Sequence, residues 1–206
     1  RALKAGSRPL SESKVVSPVD GVVSQIGSIE KSMIVQAKGK KFSVEALLAD
    51  SSKDDFYTSF ATIYLSPKDY HRIHMPFDGI LKSMKYIPGN LFSVNKRTVE
   101  NIDQVFARNE RLICYFDTEY GEMALVMVGA IFVGSMETSW EGQVTPPYTK
   151  SVKTYDYDSR QIGLSKGEEL GRFNMGSTVI LILPKGSPEL NLETGQALKM
   201  GQSISN

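Results

Sequence analysis

Along the chain, short runs of β-branched and aromatic residues alternate with Gly, Pro, Asn and Asp. That pattern predicts strands over 21–26, 33–37, 41–44, 61–65, 79–87, 91–94, 111–117, 123–133, 142–145, 151–155 and 178–183. Their spacing is close to the ~8–12 residues of a sheet-rich fold. Helical signals are few. The segment 44–49 predicts a turn or two of helix. Ser66-Pro67 reads as an N-cap followed by Pro at the first helical position, predicting a short helix through Ile73. A fainter helical pattern covers 99–108. The expected fold is mainly β (α+β): one β-rich domain of antiparallel sheets with a few short helices.

Ser17-Pro18-Val19-Asp20-Gly21-Val22-Val23 resembles Met75-Pro76-Phe77-Asp78-Gly79-Ile80-Leu81. In each, Pro and Asp-Gly supply a turn and the apolar residues open a strand. Two such units suggest a duplicated β motif of the barrel-sandwich hybrid kind; the alternative is one good turn chemistry used twice. The stretch 141–171 is polar, with Pro146-Pro147, Gly163 and Gly167, and reads as a long excursion before the last strands.

Composition narrows the function. The 206 residues suit one large domain or two small ones, with enough chain to bury a core without disulfides. A net charge of +1 argues against a dedicated nucleic-acid binder. One cysteine excludes an internal disulfide, multi-cysteine zinc sites and iron–sulfur clusters. The longest nearly unbroken apolar run, 123–134, has twelve residues, short of the roughly 20 of a spanning helix.

Both histidines fall in Ser66-Pro67-Lys68-Asp69-Tyr70-His71-Arg72-Ile73-His74-Met75-Pro76. On a helical turn His71 and His74 would share a face and could address one site, and imidazole suits acid–base work near neutral pH. The plain alternative is two ordinary surface or core histidines. A metal would need further ligands from Asp69, Asp78 or Cys114, and no recognised ligand spacing supports one. Cys114, inside Leu112-Ile113-Cys114-Tyr115-Phe116, reads as a core residue. Gly176-Ser177-Thr178 leads into an apolar run, where Ser177 could act as a nucleophile if a base stood near it. An Asp20–His–Ser177 relay is possible in chain order, but spacing alone does not bring the three together.

Taken in order, six motifs closely resemble phosphatidylserine decarboxylases of the bacterial type over nearly the whole chain. They are Ser17-Pro18-Val19-Asp20-Gly21; Tyr64-Leu65 followed by Ser66 through Pro76; Pro88-Gly89-Asn90-Leu91-Phe92-Ser93-Val94-Asn95; Asn109-Glu110-Arg111; Val128-Gly129-Ala130; and Gly171-Arg172-Phe173-Asn174-Met175-Gly176-Ser177-Thr178. Met175 departs from the commoner leucine but is apolar and of similar volume.

The resemblance implies a self-cleaving proenzyme. Ser177 Oγ attacks the Gly176 carbonyl, and the resulting ester breaks by β-elimination. The new serine-derived end then loses ammonia to become a pyruvoyl group. Glycine leaves its carbonyl open to such an attack. The same resemblance assigns the base to His74, oriented by Asp20; an acid must then protonate the decarboxylated product, and His71 is the candidate for it. It implies a β chain of residues 1–176, an α chain of 177–206, and no metal or pyridoxal phosphate. The implied partners are phosphatidylserine, an anionic membrane surface and a second copy of the β/α pair, with no nucleic acid. The implied location is peripheral, on the cytoplasmic face of the cell membrane. Because the chain opens at Arg1, a membrane-attachment segment is expected before it. Two rival readings remain: a hydrolase using Asp20, His74 and Ser177, which would keep an intact chain, and a non-catalytic binding module, which would tolerate loss of both histidines.

Overall fold

In a computed structural model of the chain, residues 3–4, 6–53, 55–131, 135–174 and 177–206 are described, Ser177 by its backbone alone. The strands are β1 (Gly21–Ser28), β2 (Met33–Ala37), β3 (Lys40–Ser43), β4 (Tyr57–Leu65), β5 (Arg72–His74), β6 (Gly79–Ile87), β7 (Arg111–Thr118), β8 (Gly121–Val128), β9 (Met136–Thr138), β10 (Gly142–Thr145), β11 (Lys153–Asp156), β12 (Gly163–Leu164), β13 (Glu169–Phe173), β14 (Ser177–Pro184) and β15 (Ala197–Leu198). Three short helices accompany them: α1 (Val44–Leu48), α2 (Lys96–Asn101) and α3 (Val105–Arg108).

Among the described residues, nine strands form one antiparallel sheet in the order β11-β6-β7-β8-β14-β4-β1-β15, with β12 beside β6. A second sheet runs β10-β9-β13-β5, and β2 pairs with β3. Among the described residues the sheets do not close into a barrel. Strands β7, β8 and β14 lie mid-sheet and read as unbroken apolar runs because both faces are covered: Leu112–Phe116, Met123–Val128 and Val179–Leu183 are buried throughout. Cys114 is fully buried on β7, and burial pushes its thiol pKa up, which keeps it an inert packing group.

The Pro-x-Asp-Gly repeat is real in three dimensions. Val16 N–H donates to the Pro76 carbonyl, and His74 N–H donates to the Pro18 carbonyl, so each unit bonds the other at matching positions. Ser17 exchanges backbone bonds with Gly201 and Gln202, as Met75 does with Gly167 and Glu168. The Asp20 carboxylate accepts from Met200 N–H (2.8 Å), and Asp78 accepts from Lys166 N–H (2.7 Å). Strand β15 flanks β1 as β12 flanks β6. Register breaks fall between Val23 and Gln25 on β1 and between Leu81 and Ser83 on β6, which are matching positions. Gly201 and Gly167 both sit at φ +83°, where a side chain is strained. The motif therefore occurs twice: β1, β4, β14 and β15 in one unit, β6, β7, β8 and β12 in the other.

The two units differ at one end. In the second, β7 and β8 join by a tight turn through Glu119 and Tyr120. In the first, β4 ends at Leu65, and its partner β14 starts at Ser177, directly opposite. The chain between these two neighbours holds the histidine segment, the whole second unit and the small second sheet.

Several expectations need correction. No helix follows Ser66. The Asp69 carboxylate takes both the Ser66 amide (2.8 Å) and its hydroxyl (2.7 Å), and Asp69 N–H returns to the Ser66 carbonyl. This closed turn competes with a helix, and the chain runs on extended into β5. The segment 91–94 is not a strand, because the Asn109 side chain takes over pairing by bonding both the amide and the carbonyl of Phe92. The fainter helix over 99–108 divides into α2 and α3. The excursion over 141–171 carries β10, β11, β12 and the start of β13.

Candidate active site

Because His71 and His74 lie on extended chain, an odd spacing sends them to opposite sides. The His71 carbonyl accepts from Phe173 N–H, extending the β5–β13 ladder by one bond. His71 lines a cavity of about 660 Å³, and His74 does not. They do not share a helical face.

His71 Nδ1 contacts the Asp69 carbonyl at 2.6 Å. A carbonyl only accepts, so Nδ1 carries the proton and the neutral ring keeps its lone pair on Nε2. That Nε2 is buried and has no partner among the described residues. An unmet buried nitrogen is costly in a purely structural role. It suits an atom that meets a reacting group.

His74 is buried, with Nδ1 donating to the Gly167 carbonyl at 2.8 Å and Nε2 accepting from the Tyr70 hydroxyl at 3.0 Å. Burial lowers its pKa below the usual imidazole value despite the Gly167 bond. His74 is thus held in one defined tautomer, and burial favours its neutral form.

Asp20 does not orient either histidine. Its buried carboxylate accepts from Arg8 Nε (2.9 Å), Arg8 Nη2, Lys199 Nζ (3.3 Å) and the Met200 amide. The ring is oriented by the Gly167 carbonyl instead. Burial would raise the Asp20 pKa, but Arg8, Met200 and Lys199 outweigh it and hold it below the ordinary value. Asp20 still favours the charged form of His74 through its field.

The cavity is cationic. Arg8, Lys68, Arg72, Arg172 and Lys199 line it against Asp20 and Asp69. Arg72 and Arg172 are held by Glu169 and Glu137. Arg8 and Lys199 share the single Asp20 carboxylate, which leaves excess positive charge in that corner.

Gly176 lies outside the described residues. Ser177 heads β14 opposite Leu65, the last residue before the Ser66–Asp69 turn. The backbone of the proposed nucleophile thus starts beside the segment that carries both histidines. Of the proposed metal ligands, Asp69 is tied to Ser66, Asp78 is an exposed acceptor for Lys166, and Cys114 is in the core. No group of three ligand-type side chains is placed for a metal among the described residues.

Sequence reasoning did not single out Arg8, Tyr70, Gly167 or Lys199. Gly167 and Lys199 were legible in the second half of the repeat, where Leu164-Ser165-Lys166-Gly167-Glu168 matches Leu198-Lys199-Met200-Gly201-Gln202. Arg8 left no signal. The Asn109-Glu110-Arg111 motif is scaffold. Asn109 bonds Phe92 and Gly129, Glu110 accepts from Tyr86 (2.6 Å), and Arg111 donates to the Ala46 and Leu47 carbonyls at the end of α1.

A sequence profile of the family described as phosphatidylserine decarboxylase matches residues 1–206. Among similar curated proteins, the phosphatidylserine decarboxylase proenzyme of Francisella philomiragia is 56% identical over 191 residues, covering 91% of this chain and 68% of that protein. The proenzyme of Francisella tularensis subsp. novicida is 53% identical over 200 residues, 95% of this chain and 70% of its own. That of Acidovorax ebreus is 50% identical over 211 residues, all of this chain and 75% of its own. The profile match spans the cavity, the histidine segment and the strand headed by Ser177, and the chain belongs to the phosphatidylserine decarboxylase family of carboxy-lyases.

Proposed function

We propose that this chain decarboxylates phosphatidylserine to phosphatidylethanolamine and carbon dioxide, using a pyruvoyl group made from Ser177 by self-cleavage after Gly176. The observation that carries the reading is the placement of Ser177, heading a core strand directly beside the segment that bears both histidines.

In self-cleavage, His74 Nε2 is the base. Its tautomer leaves that nitrogen as the acceptor, and its lowered pKa keeps it unprotonated at neutral pH. As the peptide turns to ester, the Gly176–Ser177 amide bond breaks and the Ser177 Oγ–C bond to Gly176 forms. Elimination leaves a Gly176 carboxylate, and water then displaces ammonia from the new end. The resulting strand start stays in place, because β14 is hydrogen-bonded to β4 on one side and β8 on the other.

The bound group supplies an electron sink for loss of carbon dioxide from an amine-bearing substrate. The chain fits such a group through the unmet Nε2 of His71 in the adjoining cavity. His71 takes up or delivers a proton there, since Asp69 pins its other nitrogen. The cationic lining suits a head group that carries a phosphodiester and a carboxylate. Among the described residues no helix is long and apolar enough to cross a membrane. A cavity built to take a lipid head group supports peripheral docking on an anionic bilayer surface.

The test is to supply phosphatidylserine vesicles to purified protein and measure phosphatidylethanolamine and carbon dioxide, with and without prior hydroxylamine. Turnover abolished by hydroxylamine is expected. Turnover insensitive to carbonyl reagents would refute the pyruvoyl chemistry.

A further inference from the structure

Two of the six motifs, Pro88 through Asn95 and Val128-Gly129-Ala130, take no part in the chemistry above, and they meet at one end of the large sheet. At that end β4, β6 and β8 finish and β7, β11 and β14 begin. Val128 pairs with Thr178, so the chain that continues as Gly129-Ala130-Ile131 passes the head of β14. A Cβ on Gly129 would stand 3.6 Å from Leu91. Arg108 lies over the Phe92 ring at 4.8 Å. Tyr86 donates to Glu110, whose carbonyl accepts from Gly129 N–H, and Tyr148 and Thr149 neighbour Tyr86. The segments after β6 and β8 and the one before β11 therefore form one surface.

That surface is both apolar and cationic. Leu91, Ile131, Tyr148 and Val152 are exposed on it. The same segments carry Lys96, Arg97, Lys150 and Lys153, with Arg108 beside Phe92, and all five are exposed. Among the described residues none of the five is in an ion pair. Segments 88–97, 128–131 and 146–153 contain no acidic residue. The opposite end of the sheet carries Asp78, Asp117, Glu119 and Glu122, and Lys53 and Lys82 there are held in ion pairs with Glu122 and Asp117. The whole chain has a net charge of only +1, so this is separation of charge rather than excess. Grouped exposed apolar side chains mark an interaction surface, and cations among them without acids fit an anionic lipid leaflet. Tyrosine suits the membrane–water boundary.

We infer that this end of the sheet is the face that lies on an anionic bilayer, with the four apolar side chains entering the interfacial layer and the five cations meeting lipid phosphates. The inference rests on the decarboxylation reading above and deepens it by naming the surface through which the lipid arrives. The cationic cavity lies at the same end, because Asp20 precedes β1 and the lining segment from Pro67 to Arg72 follows β4. A phosphatidylserine head group can thus enter the cavity while its acyl chains stay in the bilayer.

The test mixes the full chain with phosphatidylcholine–phosphatidylglycerol vesicles, which carry anionic charge but no substrate, and measures bound protein by flotation. Lys150→Ala with Lys153→Ala should weaken binding about 25-fold, about five-fold for each cation near an anionic surface. Tyr148→Glu with Val152→Glu should abolish flotation, while Ile80→Glu, exposed at the acidic end, should leave it unchanged. Turnover of a short-chain phosphatidylserine dispersed as monomers reads the site without a membrane. Both double variants should match wild type there and lose turnover only on vesicles. Unchanged vesicle binding in either double variant, an equal loss in Ile80→Glu, or an equal loss of turnover on the monomeric substrate would overturn the docking face. Double variants that alter the size of the particle in solution but still bind vesicles would give the patch to a second copy of the chain and overturn it too. Wild-type protein that binds vesicles yet decarboxylates neither substrate would instead refute the decarboxylation reading, so the two failures are distinguishable.

Discussion

The two Pro-x-Asp-Gly units share their backbone bonds, register breaks and flanking strands, yet their aspartates have different lives. Asp20 is buried and gathers Arg8, Lys199 and the Met200 amide; Asp78 is exposed and holds the Lys166 amide. Where the first unit has Lys199, the second has Ser165. Beside Asp78 lies a cavity of similar size, about 610 Å³, lined by Asp78, Asp117 and Glu119 and, among the described residues, by no basic residue or histidine. The second unit closes β7 onto β8 with a tight turn. The first leaves that junction open and inserts the histidine segment and the approach to Ser177. The repeated scaffold is thus common to both, and the chemistry sits in what was inserted between two neighbouring strands.

The sharpest way to break this contrast is to remove the inserted groups one at a time. His74→Ala should cut self-cleavage at least about 100-fold, read as the persistence of the uncleaved chain on a denaturing gel. His71→Ala should permit cleavage but reduce decarboxylation by a similar factor, read by phosphatidylethanolamine formation. Equal loss of cleavage in both variants would sink the division of labour.

A smaller effect separates the aspartates. Asp20→Asn strands Arg8 and weakens the hold on Met200, and should destabilise the fold by about 2 kcal/mol. Asp78→Asn, at an exposed acceptor, should cost under about 1 kcal/mol. Paired urea melts read the difference. The Asp20 pKa is depressed on folding, so its contribution is complete above the unfolded value near 3.8 and is lost as pH falls through the lower folded value. The wild-type advantage over Asp20→Asn should fade in that acid window. His74 adds a second slope. Its folded pKa lies below the ordinary imidazole value of 6.5, so stability falls as pH drops from there toward the folded value, where the unfolded chain takes up a proton that the buried ring refuses.

The smallest effect concerns the cations. Lys199→Ala should raise the KM for phosphatidylserine vesicles by a few-fold, as expected of a partly exposed charge, while Ser165→Ala leaves it unchanged. Equal KM values would remove Lys199 from the head-group pocket.

Much of the scaffold was legible in the chain. The central strands announced themselves because both faces are buried, and β6 and β10 match their expected bounds. Short pieces such as β5, β12 and β15 were not legible, since two or three residues carry no period of their own. The repeat was visible in its first half and missed in its second, because the matched segments lie 58 residues apart at Ser17 and Met75 but 34 apart at Gly201 and Gly167. The sequence shows both histidines but not their geometry. Ser66-Pro67 is sound helix-start chemistry, but the Asp69 carboxylate three residues on bonds back and closes a turn. Tyr70 was invisible as a partner of His74 because the tautomer it meets depends on Gly167, which comes close only through the second half of the repeat.

The central claim is that one chain becomes two around a strand that never leaves the sheet. Intact-mass measurement of active protein, first native and then denatured, tests it directly. The account predicts a single native particle that separates on denaturation into residues 1–176 and the 30 residues from 177 to 206. The smaller species should carry a carbonyl-reactive end, and Ser177→Ala should stay whole at 22.8 kDa. Active wild-type protein found only as an intact 22.8 kDa chain would contradict it.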